Sequence, residues 1–221
     1  MMVGPMSALE RVRALLAEAP GLGRASDLAP TQLPVADAFT PLLPGLRPGS
    51  VLGVTGTGAT SLALALVARA STDSWTAVAG LPALSLVAAS ELGVAIDRVV
   101  VVPEAGIDAL AAVVDAFDLV VARPAMAARD IRKIHARIRE RDAVVVWIGN
   151  TTEADLRLES STAQWHGIDD GHGYLRARKL TVTAVGRGSA AQTKRTTLWL
   201  PGDEGGVSTA TDVVPLMRRT G

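Results

Sequence analysis

The stretch Val51-Leu-Gly-Val-Thr-Gly-Thr-Gly-Ala-Thr-Ser61 decides the fold of this chain. It begins with a short apolar run, continues through a glycine-rich bend and leads into Leu62-Ala-Leu-Ala-Leu-Val67, which has high helix propensity. This order predicts a buried strand, a tight loop and a helix. Such a loop exposes backbone N–H groups at a helix N-terminus, where they can bind phosphate.

The stretch fits the P-loop pattern G-x-x-x-x-G-K-[ST] except at one position. Ala59 stands where the pattern has the lysine that reaches the β- and γ-phosphates, while Thr60 keeps the hydroxyl that holds Mg²⁺. We therefore expect a vestigial nucleotide cradle. ATP and Mg²⁺ binding stays open, but hydrolysis is not expected. The cradle residues are Gly53, Gly56, Gly58, Thr60 and Ser61.

The composition limits the classes of function. Of 221 residues, 48% are hydrophobic but only 3% are aromatic, so the core must consist of Val, Ala and Leu, which favours α/β layering. Lys plus Arg equals Asp plus Glu at 22 each, which gives no net field toward nucleic acid or anionic lipid. The chain has no cysteine, and its N-terminus lacks the pattern of a signal peptide, so we expect a cytoplasmic location.

Strand and helix patterns alternate after the glycine-rich loop, at spacings that suit parallel strands with right-handed crossovers. We therefore expect a mainly parallel sheet with helices on both faces. After Asn150 the pattern changes to an antiparallel extension, and a parity shift predicts a bulge near Lys179. The predicted strands span 75–79, 98–103, 118–122, 143–148, 162–167, 174–187 and 194–200, and the predicted helices 59–70, 80–92, 106–116 and 125–140.

Four segments are predicted: an N-terminal helix (1–18), a proline-rich connector (19–50), the core (51–200) and a flexible tail (201–221). In the first segment, Ser7 and Glu10 form a capping-box pattern. A short isolated helix needs a partner surface, which is either its own domain or a neighbouring subunit in a self-associating protein.

The order of elements resembles the RecA-type ATPase core. Gly45-Leu-Arg-Pro-Gly-Ser-Val-Leu-Gly-Val-Thr-Gly56 resembles the turn into the first strand and Walker A, and Ala89-Ser-Glu-Leu-Gly-Val-Ala-Ile-Asp-Arg98 resembles the segment around the "LGVD" helix end. The resemblance implies a RecA-like core from about residue 45 to 200 that has lost its catalytic residues. Ala79-Gly80-Leu81 replaces the general base, and Ala122-Arg123 replaces the Walker B aspartate. We therefore expect no catalytic residues and no enzyme activity.

The chain also resembles the ImuA′-type accessory proteins of actinobacterial mutasomes. The features that carry this resemblance are the proline-rich lead-in, Trp165-His-Gly, Asp170-Gly-His-Gly-Tyr174 and Leu198-Trp-Leu-Pro-Gly202. The resemblance implies a non-catalytic scaffold in damage-induced, SOS-type mutagenic translesion synthesis. The implied partners are an ImuB-type, Y-family-like adaptor and an error-prone replicative-type DNA polymerase.

Three other functions fit parts of the same sequence. An active P-loop ATPase or kinase would need a lysine from elsewhere, and Lys133, Lys179 and Lys194 are the only lysines in the chain. A DNA-binding RecA-like module is disfavoured by the neutral net charge. A dinucleotide-binding fold would need an acid after the second strand, where Ala79-Gly80 supplies none.

Two segments are candidate contacts for a partner or DNA. One is the basic face of the helix over 125–140, and the other is the apolar segment near the C-terminus, which could also fold back on its own domain. One segment rich in Gly and Asp has the composition of a turn, so no metal site is expected there. It contains His166, Asp169, Asp170 and His172. The candidate contact residues are Arg132, Lys133, Arg137, Val213, Leu216 and Met217.

Overall fold

The computed structural model describes residues 7–18, 32–123, 126–150, 153–169, 172–186 and 192–210. In these ranges the α-helices are α1 (Ala8–Glu18), α2 (Ala59–Ser71), α3 (Leu86–Glu91), α4 (Ile107–Ala116) and α5 (Ala128–Arg141). The strands are β1 (Val51–Gly56), β2 (Thr76–Ala79), β3 (Val99–Val102), β4 (Leu119–Ala122), β5 (Val144–Ile148), β6 (Leu156–Asp169), β7 (His172–Gly186), β8 (Lys194–Trp199) and β9 (Ser208–Thr209). Short 3-10 turns lie at Asp37–Phe39 and Ile96–Arg98.

All nine described strands form one sheet in the order β3-β2-β4-β5-β1-β6-β7-β8-β9. The first six strands in this order are parallel, and β6 to β9 are antiparallel. The predicted fold class is therefore confirmed. The order also differs from the dinucleotide-binding fold, where β1 lies beside β2, because here β1 lies between β5 and β6.

Two apolar cores cover the two faces of the sheet. One face packs against α2 and α3 and uses side chains such as Leu52 and Val54. The other packs against α1, α4 and α5 and uses Val51, Val145 and Trp147. Residues of β4 and β5 are buried along their whole length, because both faces of these central strands are covered.

The N-terminal segments pack on this core. Ser7 and Glu10 form the predicted capping box, in which each backbone N–H donates to the other side chain (2.7 and 3.2 Å). Helix α1 places Val12 in the core of its own chain, beside α4. In the predicted connector, the described part 32–50 is not simply extended. Apolar residues stand between its prolines, and two of them, Phe39 and Leu46, are buried on the α2 side of the sheet.

The antiparallel extension forms a long hairpin of β6 and β7. Ser161 pairs with Thr181 and Ala163 with Leu180, so β6 has one extra residue at this point. The bulge therefore lies on β6, whereas the sequence predicted it on β7 near Lys179. The described part of the predicted tail, 201–210, includes β9, which pairs with β8. Among the described residues, no helix has both the length and the apolar character needed to cross a bilayer.

Candidate functional site

The loop between β1 and α2 is shorter than the P-loop pattern predicts. β1 continues to Gly56 and α2 begins at Ala59, which leaves only Thr57 and Gly58 between them. Gly53, the first glycine of the pattern, lies inside β1 between β5 and β6. Its backbone is therefore part of the sheet and does not line a phosphate cradle.

Ser160 on β6 fixes the end of β1. Its hydroxyl donates to the carbonyl oxygens of Thr55 (3.0 Å) and Thr57 (2.7 Å), and its own carbonyl accepts from the Thr57 N–H (3.2 Å). Gly56 has a φ of +91°, and a side chain there would overlap the Ser160 carbonyl. The parallel pairing of β1 with β6 thus closes the cradle that a longer loop would form.

The Walker A hydroxyl and the Walker B position meet directly. Arg123 follows β4 at the place of the aspartate, and its Nη2 donates to Thr60 Oγ1 at 2.9 Å. In a P-loop NTPase these two positions hold Mg²⁺ between a carboxylate and a hydroxyl. Here the carboxylate is replaced by a guanidinium, which repels a divalent cation.

A second arginine lies against the loop from β7. The Arg178 guanidinium covers Gly58, where a methyl group would approach Arg178 Cζ to 2.7 Å. Its Nε donates to the Leu200 carbonyl at 2.9 Å, and Cζ lies 5.2 Å from the centre of the Trp165 ring. The residue is only 8% exposed, and burial lowers the pKa of the guanidinium.

Two cavities open at the carboxyl ends of the parallel strands. One, of about 410 Å³, lies between α2 and α3 and includes Thr60, Ser61 and Leu81, and the other, of about 470 Å³, lies beside Gly56, Ala59 and Gly149. Arg123 lines both. The described residues that line them include no carboxylate and no lysine, so neither cavity offers a general base or the P-loop cation.

The predicted contact residues on α5 face different surroundings. Arg137 pairs with Asp115 on α4 through Nε (2.6 Å) and Nη2, and Lys133 lies 3.9 Å from Asp130. Arg132 instead lines a cavity of about 720 Å³ that is bordered by residues of α5, β1 and β6. All three residues are exposed, and Arg137 is the one with a close carboxylate partner on another helix. Val213, Leu216 and Met217 lie outside the described residues.

The histidine-rich turn has ordinary packing in its described part. The His166 ring packs edge-on against Trp199, with 4.6 Å between ring centres. Asp170 and the side chain of Asp169 lie outside the described residues. Among the described residues, no group of three or more His, Cys, Asp or Glu side chains could hold a metal ion.

Sequence reasoning located Arg123 but missed Arg178 and Ser160. The sequence does contain a signal for Arg178, because this residue stands in alternation with Leu180, Val182 and Ala184. The structure shows that all four side chains are buried. That alternation places Arg178 on the face that packs against α2. Ser160 carries no such signal, since its role depends on the pairing of strands about one hundred residues apart.

Comparison with known sequences assigns the family. Residues 41–153 match the family described as the MT3502 N-terminal domain. This chain belongs to the MT3502 family. It is also 33% identical over 168 residues to the uncharacterized protein Rv3395c of Mycobacterium tuberculosis, an alignment that covers 69% of this chain and 76% of the relative.

The fold of this MT3502-family protein is RecA-like. It superposes on the crystal structure of the RadB recombinase with a TM-score of 0.59, covering 82% of this chain and 100% of RadB. The sequences are only 12% identical, so the similarity concerns the fold alone.

Proposed function

We propose that this MT3502-family protein is a non-catalytic RecA-like accessory protein of ImuA′ type. It acts as a scaffold in damage-induced mutagenic translesion synthesis and binds an ImuB-type adaptor and an error-prone replicative-type polymerase. The RecA-like fold and the family support the general class. The partners rest on the sequence resemblance.

The hydrogen bond from Arg123 to Thr60 carries the proposed loss of catalysis. Phosphoryl transfer depends on positioning and on cations that neutralise the developing charge. Ala59 supplies no charge, Arg123 replaces the Mg²⁺ ligand, and the end of β2 supplies no base. Each of these three differences removes a group that would stabilise the transition state of phosphoryl transfer.

Two observations weigh against the alternative functions. Lys133 is 74% exposed on α5, and none of the three lysines lines a cavity at the carboxyl end of β1, so none replaces the P-loop lysine. For a DNA-binding module, the pairing of Arg137 with Asp115 neutralises part of the positive charge of the basic face.

The outer end of the β6–β7 hairpin carries exposed apolar side chains that a partner could cover. Four large apolar side chains there are about half exposed or more, although their strands otherwise belong to a packed sheet. Exposed apolar patches of this kind mark interaction sites. The four side chains are Trp165, Ile168, Tyr174 and Leu175.

A co-purification experiment tests the proposal. The full chain should retain the adaptor and the polymerase from the same genome, and Tyr174→Ser combined with Leu175→Ser should reduce retention at least about tenfold, since each serine removes buried apolar area from the contact. Leu86→Ser combined with Val87→Ser is the matched control, because these exposed apolar residues lie on α3 instead of the hairpin. Absence of a complex with either partner would refute the scaffold role.

A further inference from the structure

Helix α3 and the turn before it carry an apolar surface that the described fold leaves open. Leu86 and Val87 on α3 are 44% and 70% exposed. Beside them, leucine, alanine and proline make up most of the wall of the cavity of about 410 Å³ between α2 and α3. Ala88 joins the two regions, since it follows Val87 on the helix and lines the cavity. An open apolar surface that continues into a cavity suits an apolar segment of polypeptide.

The C-terminal end of α3 carries a group of carboxylates. Glu91, the last residue of the helix, is exposed and lies one turn after Val87. The loop after β8 meets this end, where the Gly206 N–H donates to the Glu91 carbonyl at 2.6 Å. The same loop contributes Asp203 and Glu204, which are also exposed. No arginine or lysine in the described part of the chain forms an ion pair with any of these three carboxylates, so one end of the apolar surface is negatively charged.

The loop also brings the C-terminal region of the chain to α3. Gly206 precedes Ala210, the last described residue, by four positions, so the two lie within about 14 Å of each other. Ala88 lies about 5 Å before Glu91 along the helix axis. Residues 211–217 can span up to about 24 Å. This segment is therefore long enough to return from Ala210 to the apolar surface of α3.

The chemistry of this segment matches the surface. Residues 213–219 are Val-Val-Pro-Leu-Met-Arg-Arg, five apolar residues followed by two arginines. The proline favours an extended backbone for the residue before it, as a peptide in a groove requires. Apolar side chains and arginines thus follow each other in the same order as the apolar surface and the carboxylates along α3.

We propose that residues 213–219 dock on α3 of their own chain. Leu216 and Met217 cover Val87 and enter the cavity, and the arginines that follow lie at the carboxylates around Glu91. The contact covers α3 and leaves the β6–β7 hairpin open. Its failure would therefore leave the proposed partners unaffected, and loss of the partners would leave this contact in place.

Paramagnetic broadening of amide NMR signals in the full chain tests the docking. The chain has no cysteine, so Thr220→Cys provides a single site for a nitroxide label. We expect the label to broaden the signals of residues 84–91. Leu216→Ser combined with Met217→Ser, in the same labelled chain, should reduce this broadening at least about threefold, because the serines remove the apolar contact but keep the length of the segment.

Variants of the surface and of the arginines complete the test. Leu86→Ser combined with Val87→Ser should reduce the broadening to the same extent, and Tyr174→Ser combined with Leu175→Ser on the hairpin is the matched control that should preserve it. Arg218→Glu combined with Arg219→Glu should reduce it at least about twofold, since like charges repel at the carboxylates.

Three results would overturn the proposal. The first is broadening at residues 84–91 that the serines at 216 and 217 leave unchanged, because a segment that only passes α3 would give the same signal. The second is broadening centred on the hairpin. The third is broadening of isotope-labelled chains by separate nitroxide-labelled chains in a mixture, which would show that the segment docks on a second copy.

Discussion

Gly56 and Ser160 show how single residues fix the form of the loop. Gly56 has a left-handed φ of +91° and contacts the Ser160 backbone, while the Ser160 hydroxyl joins the carbonyls on both sides of the glycine. A glycine pattern in the sequence predicts a bend here. It does not reveal that β6 pairs as far as Gly56, because that contact joins residues more than one hundred positions apart.

Gly56→Ala should therefore lower the free energy of unfolding by about 3 kcal/mol, the sum of backbone strain and an overlap that only a backbone shift relieves. Gly206→Ala is the matched control, because Gly206 also has a positive φ (+62°) but open space around it, and should cost about 1 kcal/mol. Urea denaturation of both variants measures the difference. Equal losses would mean that the contact with Ser160 does not restrict the loop.

At the scale of elements, one carboxylate joins α4 to α5. Asp115 accepts hydrogen bonds from Arg137 and from Arg141 Nε (3.2 Å). The hydrogen bonds from Arg137, with the charges of both arginines, lower the pKa of Asp115 below its ordinary 3.8. The amphipathic pattern correctly predicted α5, but local sequence could not predict a partner on the preceding helix.

Asp115→Asn should lower stability at neutral pH by about 1 kcal/mol, since a partly exposed pair is screened by solvent. The folded-state pKa is the lower one, so this stability is present above the ordinary value of 3.8 and is lost as the pH falls through the folded-state pKa. Urea denaturation of wild type and variant should converge in that acidic range. A difference that stays constant with pH would show that the charge of Asp115 is not responsible.

Elements with strong patterns were predicted best. The strands that became β2 to β5 are short apolar runs rich in Val, and their positions agree with the structure to within a residue or two. The helix predicted over 80–92 is shorter, because residues 80–85 form turns and α3 begins only after Ser85, whose hydroxyl accepts from the Ala88 N–H (3.2 Å). The candidate site depends on contacts between residues far apart in the sequence, such as the pairing of β1 with β6, and local sequence patterns do not reveal such contacts.

At the scale of the whole molecule, a RecA-like fold carries Ala59 at the lysine position of the P-loop and Arg123 at the Walker B position. The fold depends on buried strands and α2, whereas catalysis depends on a few residues at strand ends. Those residues can change without loss of the core. The central claim is therefore that the molecule acts through its surface and needs no ATP turnover.

Damage-induced mutation frequency in cells that carry only a variant chain tests this claim most directly. Thr60→Ala removes the Walker A hydroxyl and should leave the frequency at the wild-type level, whereas Tyr174→Ser with Leu175→Ser should reduce it to the level of a deletion strain. Immunoblots establish that each variant accumulates equally. A frequency that falls with Thr60→Ala and is maintained in the hairpin variant would contradict the account.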